Sequence, residues 1–152
     1  MKKNILFATF LLLGFVSCFA QIENPVVWSY SVKKLSEKKI ELHMTADIQA
    51  GWHVYSQDAG NGPEPTSFAF SKNPLVKFDG KVQEIGKLEK AFDPNFNSTL
   101  KFYNNKVDFV QKATLKSLAS TVVKGTLTFM VCNDRKCLPP KDIPFSIKIP
   151  GK

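Results

Sequence analysis

Apolar and polar residues alternate with period two through most of this chain, and this alternation limits its fold more than any other feature. Apolar side chains fill every second position from Ile40 to Ile48, with polar residues between them. Successive side chains of a strand point to opposite faces, so the pattern predicts half-buried strands. Sustained helical spacing is hard to find, which makes an all-β protein the prediction. The same alternation occurs at 68–70, 107–115, 123–131 and 143–149.

Turn-forming residues separate the alternating stretches. The C-terminal stretch carries Pro144 and Pro150 on the polar side of its alternation. Proline is tolerated where the missing N–H would face solvent, so we expect this strand at the edge of a sheet. Short strands and turns in a chain of 152 residues predict an immunoglobulin-like two-sheet sandwich rather than a barrel. The predicted turns lie at 58–65, 72–74, 79–80, 93–95 and 104–105.

Residues 1–20 have the layout of a secretory signal peptide. Two lysines precede an apolar stretch at 5–16, and Ala20 is a small residue at the expected cleavage point. Cleavage there predicts a single domain at 21–152, located in the periplasm, and about 130 residues suffice for one core. A second interpretation makes Cys18 the lipidated residue of a lipoprotein signal, which would attach the domain to a membrane.

The chain is basic, with a formal net charge of +8. A nucleic-acid-binding surface needs clustered arginine and lysine beside aromatic platforms, or a recognisable module. The lysines here are scattered and no such module is present, so the sequence predicts no nucleic-acid partner. A solvated, lysine-rich surface accounts for the charge.

Cys132 and Cys137 form the one pair of cysteines that would remain after cleavage. They follow a predicted strand that ends at Val131, and Leu138-Pro139-Pro140 follows them. Outside the cytoplasm such a pair persists as a disulfide, and a hairpin would bring the two Cβ atoms into range. We expect Cys132 to be the first outward or boundary residue at the strand end.

Three roles for the pair are open from the residues alone. A structural brace is the first, but a ring of about six residues contributes only about 2 kcal/mol of loop-closure entropy. Redox exchange is the second: Arg135 and Lys136 would stabilise a thiolate at Cys137, and Asp134 would oppose it. A metal site is the third, but His43 and His53 are not at ligand-like spacings, so no metal or other cofactor is predicted.

The sequence resembles the N-terminal, immunoglobulin-like domain of the thiol:disulfide interchange protein DsbD. Three segments carry the resemblance: 47–55, Phe92 to Asn97, and the motif Cys137-Leu138-Pro139-Pro140. The resemblance implies that Cys137 exchanges with partner disulfides and that Cys132 resolves the mixed disulfide.

The resemblance also implies roles for residues around the pair. Tyr55 matches an aromatic hydroxyl residue of the family, whereas His53 replaces a tyrosine. An imidazole there could hold or donate a proton during exchange, or could be an ordinary half-exposed strand residue. Phe92, Asp93 and Phe96 match a mobile cap over the disulfide, with Phe96 favoured as the shield, although both rings could be core residues.

Full-length members of the family continue into a membrane reductase and a thioredoxin-like domain, whereas this sequence stops at Lys152. The expected function is therefore a stand-alone protein-disulfide reductase module. It would receive electrons in trans from a membrane reductase through a thioredoxin-like donor and pass them to thioredoxin-like periplasmic oxidoreductases and other oxidised clients. Two alternatives are a non-catalytic envelope binding module whose disulfide braces a loop, and a metal-handling protein that uses both cysteines and a histidine.

Overall fold

The structure is a computed structural model that describes residues 23–94 and 96–152. The predicted signal peptide and Cys18 lie outside the described residues. Within the described part of the chain, no helix is long and apolar enough to cross a membrane.

Two antiparallel sheets make up the described structure. In the larger sheet the order is β1-β2-β6-β3-β8, and β5 pairs with β6; the smaller sheet has the order β4-β7-β9. This arrangement confirms the predicted all-β, immunoglobulin-like sandwich. The strands of the described residues are β1 (Val26–Lys34), β2 (Lys39–Ile48), β3 (Trp52–Tyr55), β4 (Ser67–Phe70), β5 (Val76–Asp93), β6 (Ser98–Leu115), β7 (Thr121–Phe129), β8 (Val131–Asn133) and β9 (Lys141–Ile149).

The main core lies between the two sheets and is built from the alternating apolar positions. On β2, every second residue from Ile40 to Ile48 is buried, as the alternation predicted. Phe109 of β6 is fully buried, and its ring centroid lies 5.8 Å from that of Trp28 and 5.2 Å from that of Phe68. Aromatic packing of this kind joins the large sheet to the small one.

The C-terminal strand lies at a sheet edge. β9 pairs only with β7 among the described strands, with Pro144 opposite Thr126. The predicted edge position is therefore confirmed.

Two of the predicted turns are wrong. Residues 79–80 and 104–105 lie inside β5 and β6, which run for 18 residues each and pair with one another. The pairing shifts register after Asp79 and after Gly86, and Gly80 (φ 72°) and Asn105 (φ 61°) have left-handed backbones at these places. Turn-forming residues here make bulges that bend a continuous strand.

The irregularity at Asn105 marks a change of neighbour along β6. Residues 106–114 pair with β2, whereas 102–104 pair with β3. The bent strand thus places β3, and through it β8, at one end of the large sheet.

Phe109→Ala should lower the free energy of unfolding by about 3–5 kcal/mol, because it leaves a large cavity in the main core. Urea denaturation measures this loss. Val27→Ala is the control, since Val27 is 62% exposed, and it should change stability by less than about 0.5 kcal/mol. Similar losses for the two variants would contradict a core centred on Phe109.

Candidate functional site

The disulfide region lies on the outer face of the large sheet, where β6, β3 and β8 run side by side. His53 stands directly opposite Cys132 on β8 and Asn104 on β6, and Tyr55 stands opposite Phe102. Side chains that face each other across antiparallel strands share one face of the sheet. The register therefore brings a cysteine, an imidazole and a phenol together, on the face away from the main core.

Cys132 and Cys137 are bonded to each other, with their Cα atoms 4.0 Å apart. The hairpin that joins them is closed by the Asn133 N–H, which donates to the Lys136 carbonyl at 2.9 Å. The Asn133 side-chain oxygen accepts the backbone N–H groups of Arg135 and Lys136, both at 2.9 Å. Asn133 therefore shapes the tight turn that the short spacing between the cysteines requires.

The two cysteines differ sharply in exposure. Cys137 is exposed, whereas Cys132 is only 2% exposed. Cys132 points away from the main core, but a second small cluster formed with Tyr55, Ala59 and Leu100 covers it. Cys132 therefore points outward from the main core, as expected, but it is buried, which was not expected. Cys137 is therefore the more accessible of the two bonded cysteines.

His53 and Tyr55 contact each other beside the disulfide. The His53 Nε2 atom lies 3.3 Å from the Tyr55 hydroxyl, and its ring packs 4.6 Å from that of Phe102 between centroids. Burial lowers the pKa of His53, and the nearby carboxylates of Asp134 and Asp93 oppose that change. Burial, with a smaller effect of Asp93, raises the pKa of Tyr55. Near neutral pH the imidazole and the phenol are therefore both uncharged.

An open cavity of about 740 Å³ lies between the disulfide hairpin and the tip of the β5–β6 hairpin. Phe92 is 63% exposed and Phe96 is 36% exposed, so neither ring belongs to the core. The rings stand at the rim of the cavity while Cys137 stays exposed. The residues that the sequence analysis assigned to the exchange site and its cap all line this one cavity: His53, Tyr55, Phe92, Asp93, Phe96, Cys132 and Cys137.

A partly buried hydrogen-bond network fixes the end of β3, and sequence reasoning missed it. Glu84 of β5 accepts from the Ser56 hydroxyl at 2.9 Å, the Gln57 N–H at 2.6 Å and the Tyr103 hydroxyl at 2.6 Å. Burial and the Glu84 carboxylate raise the pKa of Tyr103. The network depends on the register of three strands, which no local pattern in the sequence reveals.

Leu100, Phe102 and Asn104 of β6 also line the cavity, and the sequence analysis did not single them out. Their period-two spacing was the available signal, since it places all three on one face.

Lys136 was expected to stabilise a thiolate at Cys137. It forms an ion pair with Glu23 at 2.5 Å, so the Glu23 carboxylate partly offsets its positive charge.

The two histidines are in separate places. His43 lies on β2 outside the cavity, with its Nδ1 atom 2.6 Å from a carboxylate oxygen of Asp108. Among residues 23–94 and 96–152, no group of three or more His, Cys, Asp or Glu side chains is arranged to hold a metal ion.

Fold and site together define an immunoglobulin-like sandwich that carries one asymmetrically exposed disulfide at the end of its larger sheet. The sequence profile of the family described as "Thiol:disulfide interchange protein DsbD, N-terminal" matches residues 22–147. The chain therefore belongs to the DsbD N-terminal family. No individually curated protein matches it.

Solved structures share the fold. The N-terminal domain of DsbD from Neisseria meningitidis in the reduced form is 17% identical, with 84% of this chain and 87% of that chain covered and a TM-score of 0.56. The N-terminal periplasmic domain of ScsB from Proteus mirabilis is 13% identical, with 82% and 46% covered and a TM-score of 0.60. A complex between the DsbD N-terminal and PilB N-terminal domains from Neisseria meningitidis gives 15% identity, 83% and 87% coverage and a TM-score of 0.52.

Asp134→Asn should lower the pKa of His53, because the Asp134 carboxylate favours the imidazolium and its loss leaves burial less opposed. Titration of the His53 ring protons by NMR measures the change. Asp142→Asn is the control, since Asp142 lies on β9 outside the cavity. An unchanged His53 titration in Asp134→Asn would show that the disulfide hairpin does not face the imidazole.

Proposed function

We propose that this protein is a periplasmic thiol:disulfide exchange domain that relays electrons through Cys132 and Cys137. It takes them from a membrane-linked thioredoxin-like donor and passes them to oxidised client proteins. The observation that carries the proposal is the asymmetry of the disulfide: Cys137 is exposed, whereas Cys132, which lines the same cavity, is only 2% exposed. Such a bond can be attacked at one defined atom. Membership of the DsbD N-terminal family supports the same function.

Reduction begins when a donor thiolate attacks the Cys137 sulfur. The Cys132–Cys137 bond breaks, a mixed disulfide forms between Cys137 and the donor, and Cys132 leaves as a thiolate. The donor's second thiolate then attacks the donor's first sulfur, which is bonded to Cys137 in the mixed disulfide. Cys137 is released as a thiolate. The donor ends as a disulfide, and this domain has gained two electrons.

Delivery to a client uses the same chemistry in the opposite direction. The Cys137 thiolate attacks a client disulfide and forms a mixed disulfide with one client sulfur, while the other client sulfur leaves as a thiolate. Cys132 then attacks Cys137, the Cys132–Cys137 bond re-forms, and the first client sulfur also leaves as a thiolate. The client is reduced by two electrons, and the domain returns to its oxidised form.

His53 is the proton acceptor for Cys132 in the resolving step. The two residues are opposite each other in register, and a buried thiol cannot release its proton directly to bulk water. A neutral imidazole takes the proton as Cys132 attacks, and returns it when reduction makes Cys132 a thiolate again. Tyr55 orients the ring through the contact with Nε2.

Phe92, Asp93 and Phe96 control access from the opposite rim. Aromatic side chains beside a disulfide limit which thiols reach it, and this slows reduction by thiols that are not partners. Asp93 also acts on both His53 and Tyr55 through its charge.

The partner is a separate protein that fits this end of the sandwich. A DsbD N-terminal domain of similar fold has been crystallised in a complex with a PilB N-terminal domain, and the ScsB domain of similar fold is periplasmic. These relatives support a protein partner and a periplasmic location for this chain.

Cys132→Ser should trap a mixed disulfide through Cys137, because the resolving thiol is gone. Oxidised thioredoxin is the probe, and non-reducing electrophoresis after acid quenching and alkylation detects the conjugate. Cys137→Ser, which keeps only the enclosed thiol, is the matched control and should give none. No conjugate from either variant, together with a stability loss of about 2 kcal/mol in Cys132→Ser, would instead identify the bond as a loop brace.

His53→Gln should slow the closing step by about 100-fold at pH 7. The reduced protein is mixed with 5,5′-dithiobis(2-nitrobenzoate), and release of the second thionitrobenzoate reports the attack of Cys132 on Cys137. The wild-type rate should fall as pH drops through the pKa of His53, which burial holds below 6.5, and should level off above it.

In His53→Gln the rate should instead keep rising with pH above the point where the wild-type rate levels off, because the thiol must then lose its proton without a base. His43→Gln is the control, since His43 lies outside the cavity, and it should retain the wild-type profile. Identical dependence of the rate on pH in His53→Gln and in the wild type would show that His53 is not the proton acceptor.

A further inference from the structure

The loop between β3 and β4 lies against the start of β6, close to the predicted cap. The Lys101 N–H donates to the Ala59 carbonyl at 3.0 Å, and the Asn61 N–H donates to the Ser98 hydroxyl at 3.1 Å. An ion pair of 2.5 Å joins Lys101 to Asp58. We call residues 58–62 the seat loop, because these contacts fix it to the strand that follows the cap.

Glycines in the seat loop allow this close approach. A Cβ at Gly60 would lie 2.5 Å from the Thr99 carbonyl oxygen, and a Cβ at Gly62 would overlap the ring of Phe96. Gly62 also has φ +133°, a backbone conformation that other residues rarely adopt. The Phe96 ring therefore lies directly on the Cα atom of Gly62.

Phe96 has Gly62 on one side and the disulfide cavity on the other. Phe96 lines the cavity together with Cys137, whereas Gly62 does not line it. The contact with Gly62 covers part of the Phe96 ring, and Phe96 is 36% exposed, compared with 63% for Phe92. With the ring in this position, Cys137 remains exposed.

We propose that Gly62 is a positioning residue that holds the Phe96 ring away from Cys137 and so sets the rate at which thiols reach the disulfide. A side chain at position 62 would displace the Phe96 ring from its contact with the Gly62 Cα atom. The open side is the cavity, so the ring would move toward Cys137 and shield it. The biological role of this control over thiol access rests on the proposed exchange function. The contact between Gly62 and Phe96 does not depend on that function.

The experiment measures the rate at which dithiothreitol reduces the Cys132–Cys137 bond, because this small dithiol needs no protein partner. Gly62→Ala should slow reduction by about three- to tenfold. Gly80→Ala is the control: Gly80 also has a positive φ, +72°, but no heavy atom lies within 4 Å of its added Cβ, so the change places an alanine at positive φ and displaces no ring. It should keep the wild-type rate.

Phe96→Ala tests whether Gly62 acts through the ring. In that background, adding Gly62→Ala should change the rate no further. A Gly62→Ala rate equal to that of Gly80→Ala, or a slowing that persists without the Phe96 ring, would overturn the proposal. If Gly62→Ala does not fold alone, rescue of folding by Phe96→Ala supports the contact, and failure of rescue overturns it.

These outcomes are separate from those that test the exchange function. If thioredoxin captures no mixed disulfide but the Gly62 effect on dithiothreitol persists, the exchange proposal fails and the positioning role stands. If capture succeeds and Gly62→Ala reacts like wild type, the positioning role fails and the exchange proposal stands.

Discussion

β3 lies between β6 and β8, and its hydrogen-bond register determines which side chains meet the disulfide. A slip of one residue would turn His53 toward the main core and Val54 toward the cavity, because strand side chains alternate between faces. Val54 is fully buried, and Glu84 ties the residues after β3 to β5 and β6. Core packing on one face and a carboxylate network at the strand end therefore hold in place the face that meets the disulfide.

The molecule keeps two apolar clusters apart, and this separation suits a bond that opens and closes. The main core joins the two sheets, whereas the cluster around Cys132 contains only Tyr55, Ala59 and Leu100 among its buried members. The disulfide closes a short ring, so its loss removes only about 2 kcal/mol of loop-closure entropy. Opening the bond therefore perturbs a local cluster while the sandwich retains its core.

The period-two alternation was enough to predict the sandwich, and the spacing of the cysteines was enough to predict the hairpin. Both the alternation and the spacing can be read from short stretches of the sequence. Residues 79–80 and 104–105 were misjudged because left-handed glycine and asparagine serve bulges as well as turns, and only strand pairing distinguishes the two. The burial of Cys132 was missed for a related reason. Ala59 and Leu100 cover it from distant segments, and their approach depends on register rather than on any neighbouring sequence.

An imidazole at position 53 fits the buried position of Cys132, which lies opposite it. Burial raises the pKa of Tyr55, so a phenol in this cavity stays protonated at neutral pH and cannot serve as a base. Burial lowers the pKa of His53, so the imidazole is neutral and can accept a proton. In the proposed exchange the exposed Cys137 can lose its proton to solvent, whereas the enclosed Cys132 cannot. The enclosed thiol is thus the one that needs a base, and the register supplies an imidazole directly opposite it.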